Sequence, residues 1–449
     1  MHRLPLILVL AAPAAALAQA PSAPSGQTQP LRLSLKQAVE IALAPAGNAG
    51  VRLSREGVSQ VRARSAQARA ALLPNFDSSV SEQSQTRNLA AFGIQIQVPI
   101  PGFTFPTFVG PFTVFDARVS ATQSIFDFSS IRRFQASRAA LRAAEADSGS
   151  ASDQTGAQVA ALYLSALAAR AHVEAAQSSV TLSEALARLG ENRRSAGTGT
   201  LIEVTRALVE LANARQRLLV AETDARRAKL ELLRTIGLQL DLDVELSDEL
   251  LPTPAQELPL AQAVQQALTA RPDWKAQQAR EENARLSHSA TRFERLPSLA
   301  GFADYGSIGT GINSAVPTRT YGAALRVPVF DGGRRDARRA ESLSQFRQEQ
   351  IRTADLRQQV ELEIRLALDN LHSAGDQLKV AEEGLQQAER EVAQAQRRYE
   401  AGVATSLEPI DAQTRLARAR DNRIAALLAY NIARISLAQA MGAIRQVIQ

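Results

Sequence analysis

Two carboxylates stand three residues apart, Glu408 and Asp411, in the stretch YEAGVATSLEPIDAQ (399–413), just after a small-residue turn. That spacing puts both on one face of a helix, where they form a patch of negative charge. Thr405 precedes Glu408 by three, the spacing of a capping box, which starts a helix. Pro409 then falls in the first turn, where backbone donors have no intrahelical partner. A second turn, at 194–208, repeats the pattern as Thr200 and Glu203 but has Arg206 where the other has Asp411. Capping by itself accounts for Glu203 and Glu408, whereas Asp411 lies beyond the cap. Around these acids there is no machinery for bond chemistry. The chain has no cysteine, and its four histidines (His2, His172, His288, His372) are isolated, without ligand spacing. Gly197-Thr198-Gly199 sits between helical segments rather than after a strand, so it is not a phosphate loop. An enzyme is not expected, nor is a metal or other cofactor.

The elements that must hold these acids are long. The chain has 449 residues, only 4 % aromatic, and is rich in alanine, which favours close helix packing over a large globular core. It opens MHRLPLILVLAAPAAALAQA, with Arg3, an apolar run and small residues at the end of the run, the pattern of a secretory signal peptide (1–18) cleaved after Ala18. Later apolar runs fall short of the ~18–20 residues of a membrane-spanning helix, so any span would be made of strands. Without a cysteine the protein is not lipidated at its N-terminus. The net charge of +6 comes from basic residues spread along helical segments, a solvated face rather than a nucleic-acid patch.

The chain is a tandem duplication. LSLKQAVEIAL (33–43) recurs as LPLAQAVQQAL (258–268), and Leu73-Pro74 recurs as Leu296-Pro297. Phe126-Asp127 matches Phe330-Asp331, and RRSAGTGTLIEVTRA (193–207) matches RRYEAGVATSLEPIDA (397–412). From Phe-Asp to the turn glycine is 71 residues in one copy (126 to 197) and 72 in the other (330 to 402). Such a period is far longer than that of any solenoid repeat. Proline is absent between Pro111 and Pro252 and occurs only once after Pro328, at Pro409, so long uninterrupted helices are expected. In the second copy Ile364, Leu371, Leu378, Leu385, Val392 and Tyr399 are spaced by seven, and alanines at 367, 374, 381, 388 and 395 follow by three. That register predicts a left-handed coiled-coil seam with close approach of the helices. A helix over 332–399 would be a rod of roughly 100 Å.

Four extended segments are predicted, at 75–88, 112–126, 298–306 and 319–330, two per copy, of which 117–126 and 321–330 alternate small-apolar with polar residues over much of their length. Nine of the fourteen phenylalanines lie within 76–128, as in the aromatic girdles of a transmembrane barrel. A soluble hairpin with a local aromatic core is the other reading. Four strands cannot close a barrel when the smallest known have about eight, so several copies would pool theirs. The connections 89–111 and 307–318 suit loops at the outer end.

The duplication, the Pro-Val-Phe-Asp-Gly-Gly-Arg-Arg stretch (328–335), and Tyr399-x-x-Gly402 followed by Ile410-Asp411-Ala412-Gln413 together resemble the TolC-like outer-membrane efflux protein family, over nearly the whole mature chain. The resemblance implies a mainly α fold with a β-barrel part. It would be a homotrimer with a 12-stranded barrel in outer-membrane lipid, four strands per chain, above a tunnel of helical hairpins crossing the periplasm. A mixed belt midway would use 31–48 and 237–257. The expected division is 19–74 (helices of the first copy), 75–127 (first β-hairpin), 128–237 (first long hairpin), 238–257 (linker), 258–297, 298–331 and 332–449 (the same parts of the second copy). The resemblance further implies an exit duct for a tripartite efflux or type I secretion system, with a periplasmic adaptor and an inner-membrane pump as partners. Glu408 and Asp411, with Glu203 secondary, would form an acidic ring at the tunnel tip. Ala404 stands where some members carry a basic gating residue. The tips would be the adaptor-docking surface through Gly197, Thr198, Leu201, Gly402, Val403 and Ser406. A periplasmic or surface coiled-coil adaptor or stalk is the competing reading, though an adaptor would carry one helical hairpin rather than two tandem copies.

Overall fold

In the computed structural model, which describes residues 31–94, 107–254 and 258–445, the proline-free stretches carry the longest helices. The expected signal peptide, the middle of the 89–111 connection and part of the linker lie outside the described residues. In chain order the elements are β1 (Leu31–Leu33), α1 (Leu35–Leu43), α2 (Ala49–Ala70), β2 (Asn75–Asn88), β3 (Phe108–Phe126), α3 (Phe128–Ser195), α4 (Leu201–Ile236), β4 (Val244–Leu246), α5 (Leu260–Ala270), α6 (Pro272–Phe293), β5 (Ser298–Gly309), β6 (Val316–Arg326), α7 (Arg334–Glu400) and α8 (Leu407–Ala440).

Two helices set the length. α3 has 68 residues and α7 has 67, each a rod of roughly 100 Å. Below the middle, α3 packs on α4 and α8, and α7 on α8; above it, α3 packs on α2 and α6, and α7 on α6. The protomer is therefore four lanes wide over its whole height, in the order α2 above α4, then α3, then α6 above α8, then α7. The sheet continues the same order, β2-β3-β5-β6. Along α7 the residues that face its neighbours are Ile364, Ala367, Leu371, Ala374, Leu378, Ala388, Val392, Ala395 and Tyr399, all buried on the heptad register. Alanine at every second seam position lets the backbones approach closely.

Where one short helix hands over to another, a side chain bridges the joint. Asn48 caps α2 by accepting from the N–H of Gly50 at 2.7 Å, while its Nδ2 donates to the carbonyl of Thr235 in the last turn of α4 at 2.8 Å. At the equivalent joint Arg271 precedes α6 and donates to the carbonyl of Ala440 in α8 at 3.1 Å and to Glu363 of α7 at 2.6 Å. Beside the first joint, β1 and β4 pair in parallel, and α1 covers the main core cluster around Tyr163, Leu232 and Ile236. The Tyr163 hydroxyl donates to Leu33 O at 2.8 Å.

The four long strands form one antiparallel sheet whose two faces differ. The register puts Asp77, Ser79, Asp116, Arg118, Ser120, Asp304 and Thr320 on one face. The other carries Phe76, Val80, Val119, Tyr305, Tyr321 and Leu325, all exposed. The last strand departs from expectation, ending at Arg326 rather than 330. Pro328 has no N–H to give a ladder, so Val327 to Phe330 leave the sheet. Gly332 and Gly333, with φ of 67° and 84°, turn the chain into α7.

Candidate functional site: the helical tips

Both tips turn on a glycine in the left-handed region, Gly197 at φ 74° and Gly402 at φ 75°. At the first, the Thr200 N–H donates to Glu203 Oε2 at 3.2 Å, so Glu203 serves as the expected capping residue. The second tip does not repeat this. Helix α8 begins one residue later, with Ser406 at the N-cap in helical φ/ψ, and no capping bond from Thr405 to Glu408 forms. Glu408 turns to Arg398 of α7 instead, with the pair at 2.8 Å. The physical reason is Pro409, which fits only at the first turn and sets where the helix can start. Asp411 is exposed and takes part in no ion pair among the described residues. Of the three predicted acids, Asp411 therefore keeps its charge uncompensated, Glu408 is neutralised by a neighbour, and Glu203 is committed to the cap.

The tips are joined by a residue that the sequence did not single out. Arg193, near the end of α3, donates to the carbonyls of Tyr399 and of Thr198, and its guanidinium lies 4.6 Å from the centre of the Tyr399 ring. Tyr399 ends the α7 seam at 1 % exposure. Burial, followed by the charge of Glu203, pushes its hydroxyl pKa up against the opposing effect of Arg193, so the ring stays neutral. The duplicated arginine pairs 193–194 and 397–398 were the available signal for this staple.

Among the proposed docking residues, Gly197, Thr198, Leu201, Gly402 and Val403 are exposed at the tips. Ser406 is not: at 1 % exposure its side chain faces inward, and Leu407 takes the exposed position. No group of three or more potential metal ligands occurs among the described residues, and none of the described helices is long and apolar enough to cross a membrane.

This combination of two tandem hairpins, a four-stranded amphipathic sheet and paired tips is matched by a family model described as outer membrane efflux protein, over residues 41–238 and 263–443. The chain belongs to that family. It is an outer-membrane efflux protein, located in the outer membrane. It is 29 % identical over 354 residues to the pyoverdine export outer membrane protein OpmQ of Pseudomonas putida, covering 74 % of this chain and 71 % of OpmQ. It is 26 % identical over 428 residues to the toluene efflux pump outer membrane protein TtgF of Pseudomonas putida, covering 90 % and 82 %. The fold is shared with the VceC outer membrane protein of Vibrio cholerae (TM-score 0.75, 19 % identity, 91 % and 96 % covered). It is shared equally with the open-state MtrE channel of Neisseria gonorrhoeae (TM-score 0.76, 17 % identity, 91 % and 89 % covered). Family membership removes the stalk or adaptor alternative.

Proposed function

We propose that the protein is the exit duct of a tripartite efflux or type I secretion system, built as a homotrimer with a closed 12-stranded barrel. The observation that carries this reading is the pair of unpaired edges running the full height of the protomer. Among the described residues no further strand or long helix lies beyond β2, α2 and α4 on one side or beyond β6 and α7 on the other, where only the short α1 and α5 touch α4 and α7. Open strand edges and bare helix seams are unfavourable in isolation, and head-to-tail closure satisfies both at once. The helices at these edges expose apolar side chains among their polar ones. Leu219 and Val220 of α4 and Val380 of α7 are exposed at matching heights, ~30 Å above the tips. In the sheet, the apolar face meets lipid and the polar face lines the lumen.

The mature chain then divides close to the boundaries expected from sequence, with 1–18 removed, 75–127 and 298–331 carrying the barrel strands, and 128–237 and 332–449 carrying the tunnel helices. The tips dock a periplasmic adaptor through Gly197, Thr198, Leu201, Gly402 and Val403, and an inner-membrane pump supplies energy and selects cargo. Relatives named for cargoes as different as pyoverdine and toluene support selection by the pump. Three copies of Asp411, aided by Glu408 and Glu203, make a cation-favouring ring at the tip. The test is purification from the outer-membrane fraction. A detergent-solubilised trimer that opens conducting pores in planar bilayers is expected. A monomer soluble without detergent would overturn the proposal.

A further inference from the structure

The apolar face of the sheet does not stop where the strands stop. A bulge between Ser124 and Phe126 brings Phe126 opposite Leu299, and so onto the face shared with Leu325 and Tyr321. Phe126 meets Phe128 edge-on at 4.3 Å, and Phe128 meets Phe293 of α6 at 5.7 Å. The chain of rings ends under a charge, with the Arg132 guanidinium 5.7 Å from the Phe293 ring centre. Arg132 donates to the neutral Gln135 side chain at 2.8 Å and forms no ion pair among the described residues.

Helix α3 carries the same gradient. Phe128, Ile131, Gln135, Arg138 and Arg142 recur at helical spacing and are all exposed, apolar next to the sheet and basic further from it. By helical rise Arg132 lies ~6 Å beyond Phe128 and Arg138 ~15 Å. A headgroup layer is roughly 5–7 Å thick on each side of the hydrocarbon, so with Phe128 at the hydrocarbon edge Arg132 stands at phosphate depth and Arg138 roughly 8–10 Å outside the layer, within a Debye length of it. Nearby carboxylates are already taken: Glu294 pairs with both Arg133 and Arg338, Asp336 with Arg295, and Glu282, which also feels the charges of Arg142 and Arg132, with Arg285. The surplus is felt locally, since burial, followed by the charges of Arg292 and Arg339, depresses the pKa of His288.

We propose that this junction is a binding site for the phosphate headgroup of an anionic phospholipid in the periplasmic leaflet, with Arg132 as the headgroup ligand and Arg138 as outer support. The Phe126–Phe128–Phe293 stack takes the upper acyl and glycerol region, and the guanidinium offers a planar fork to the phosphate. This inference rests on the sheet spanning the membrane as proposed above.

The test is native mass spectrometry of the detergent-purified protein titrated with phosphatidylglycerol, phosphatidylethanolamine or inorganic phosphate. Phosphatidylglycerol is expected to bind preferentially. Replacing Arg132→Gln and Arg138→Gln together should weaken that preference by about fivefold per charge removed, and Arg132→Lys should restore part of it. Equal binding of the two lipids by the wild-type protein, an unchanged preference in the double variant, or displacement of the lipid by inorganic phosphate would each overturn the proposal. Pore formation in bilayers by the same preparation keeps the outcomes distinct. A protein that conducts but shows no lipid preference refutes this site alone, whereas one that never inserts refutes the membrane-spanning reading.

Discussion

Asp411, Glu408 and Glu203 have the same functional groups but different surroundings, and the surroundings rank them. Because Arg398 already neutralises Glu408, Asp411→Asn should lower cation-over-anion permeability in planar-bilayer recordings more than Glu408→Gln does. Equal effects would mean that the ion pair at the tip opens in the assembled channel. Arg193→Ala removes a cation–π contact and two donated hydrogen bonds at the joint of the tips. A loss of about 1–3 kcal/mol in tip stability is expected, seen as faster amide exchange around 190–205 and 396–408 with little change elsewhere. His288 supplies a pH dependence. Its Nδ1 lies 3.0 Å from Ser342 Oγ, and burial with Arg292 and Arg339 lowers its pKa in the folded protein. A folded pKa below the unfolded value favours the neutral ring, so the stability it contributes is present above about pH 6.5 and is lost as pH falls below that. His288→Gln should therefore flatten the acid limb of a melting-temperature profile below pH 6.5.

At the scale of the elements, α7 tests the heptad argument. Leu371 is a large seam residue and Ala374 a small one, both buried against neighbouring helices. Leu371→Ala should cost about 2–5 kcal/mol by leaving a cavity. Ala374→Leu should cost about 1–3 kcal/mol by forcing the helices apart, although it adds apolar surface. Chemical denaturation would measure both, and a stabilising Ala374→Leu would refute the close-approach reading. The seam was legible because its period is set by helix geometry alone. The cap of α8 was not. Thr-x-x-Glu reads the same at 200–203 and 405–408, but only the second is followed by a proline, and only there does the preceding arginine turn to the glutamate, Arg194 pairing with Glu191 instead. Strand β6 shows the same limit, since alternation runs on through Val327 to Phe330 while the ladder ends at Arg326.

For the whole molecule, the two bare edges predict assembly. Val380→Asp on α7 sets a charge in the proposed contact between copies and should convert a heat-sensitive oligomer on gels into monomer, while a substitution on an already solvated lane face should not. An oligomer unaffected by Val380→Asp would place that edge outside the interface. Much of this architecture was open to the sequence by itself: the duplication, the long helices, the buried heptad face and the two-faced strands. Those follow from periodicity and from where proline is missing, both local properties of a chain. Only the tertiary structure decided that Glu408 spends its charge on Arg398, that Ser406 points inward, that Arg193 ties one tip to the other, and that a bulge carries the apolar face down to Arg132. Each of these depends on which residues distant in sequence are brought within a few ångströms, and the packing of one lane against the next determines that.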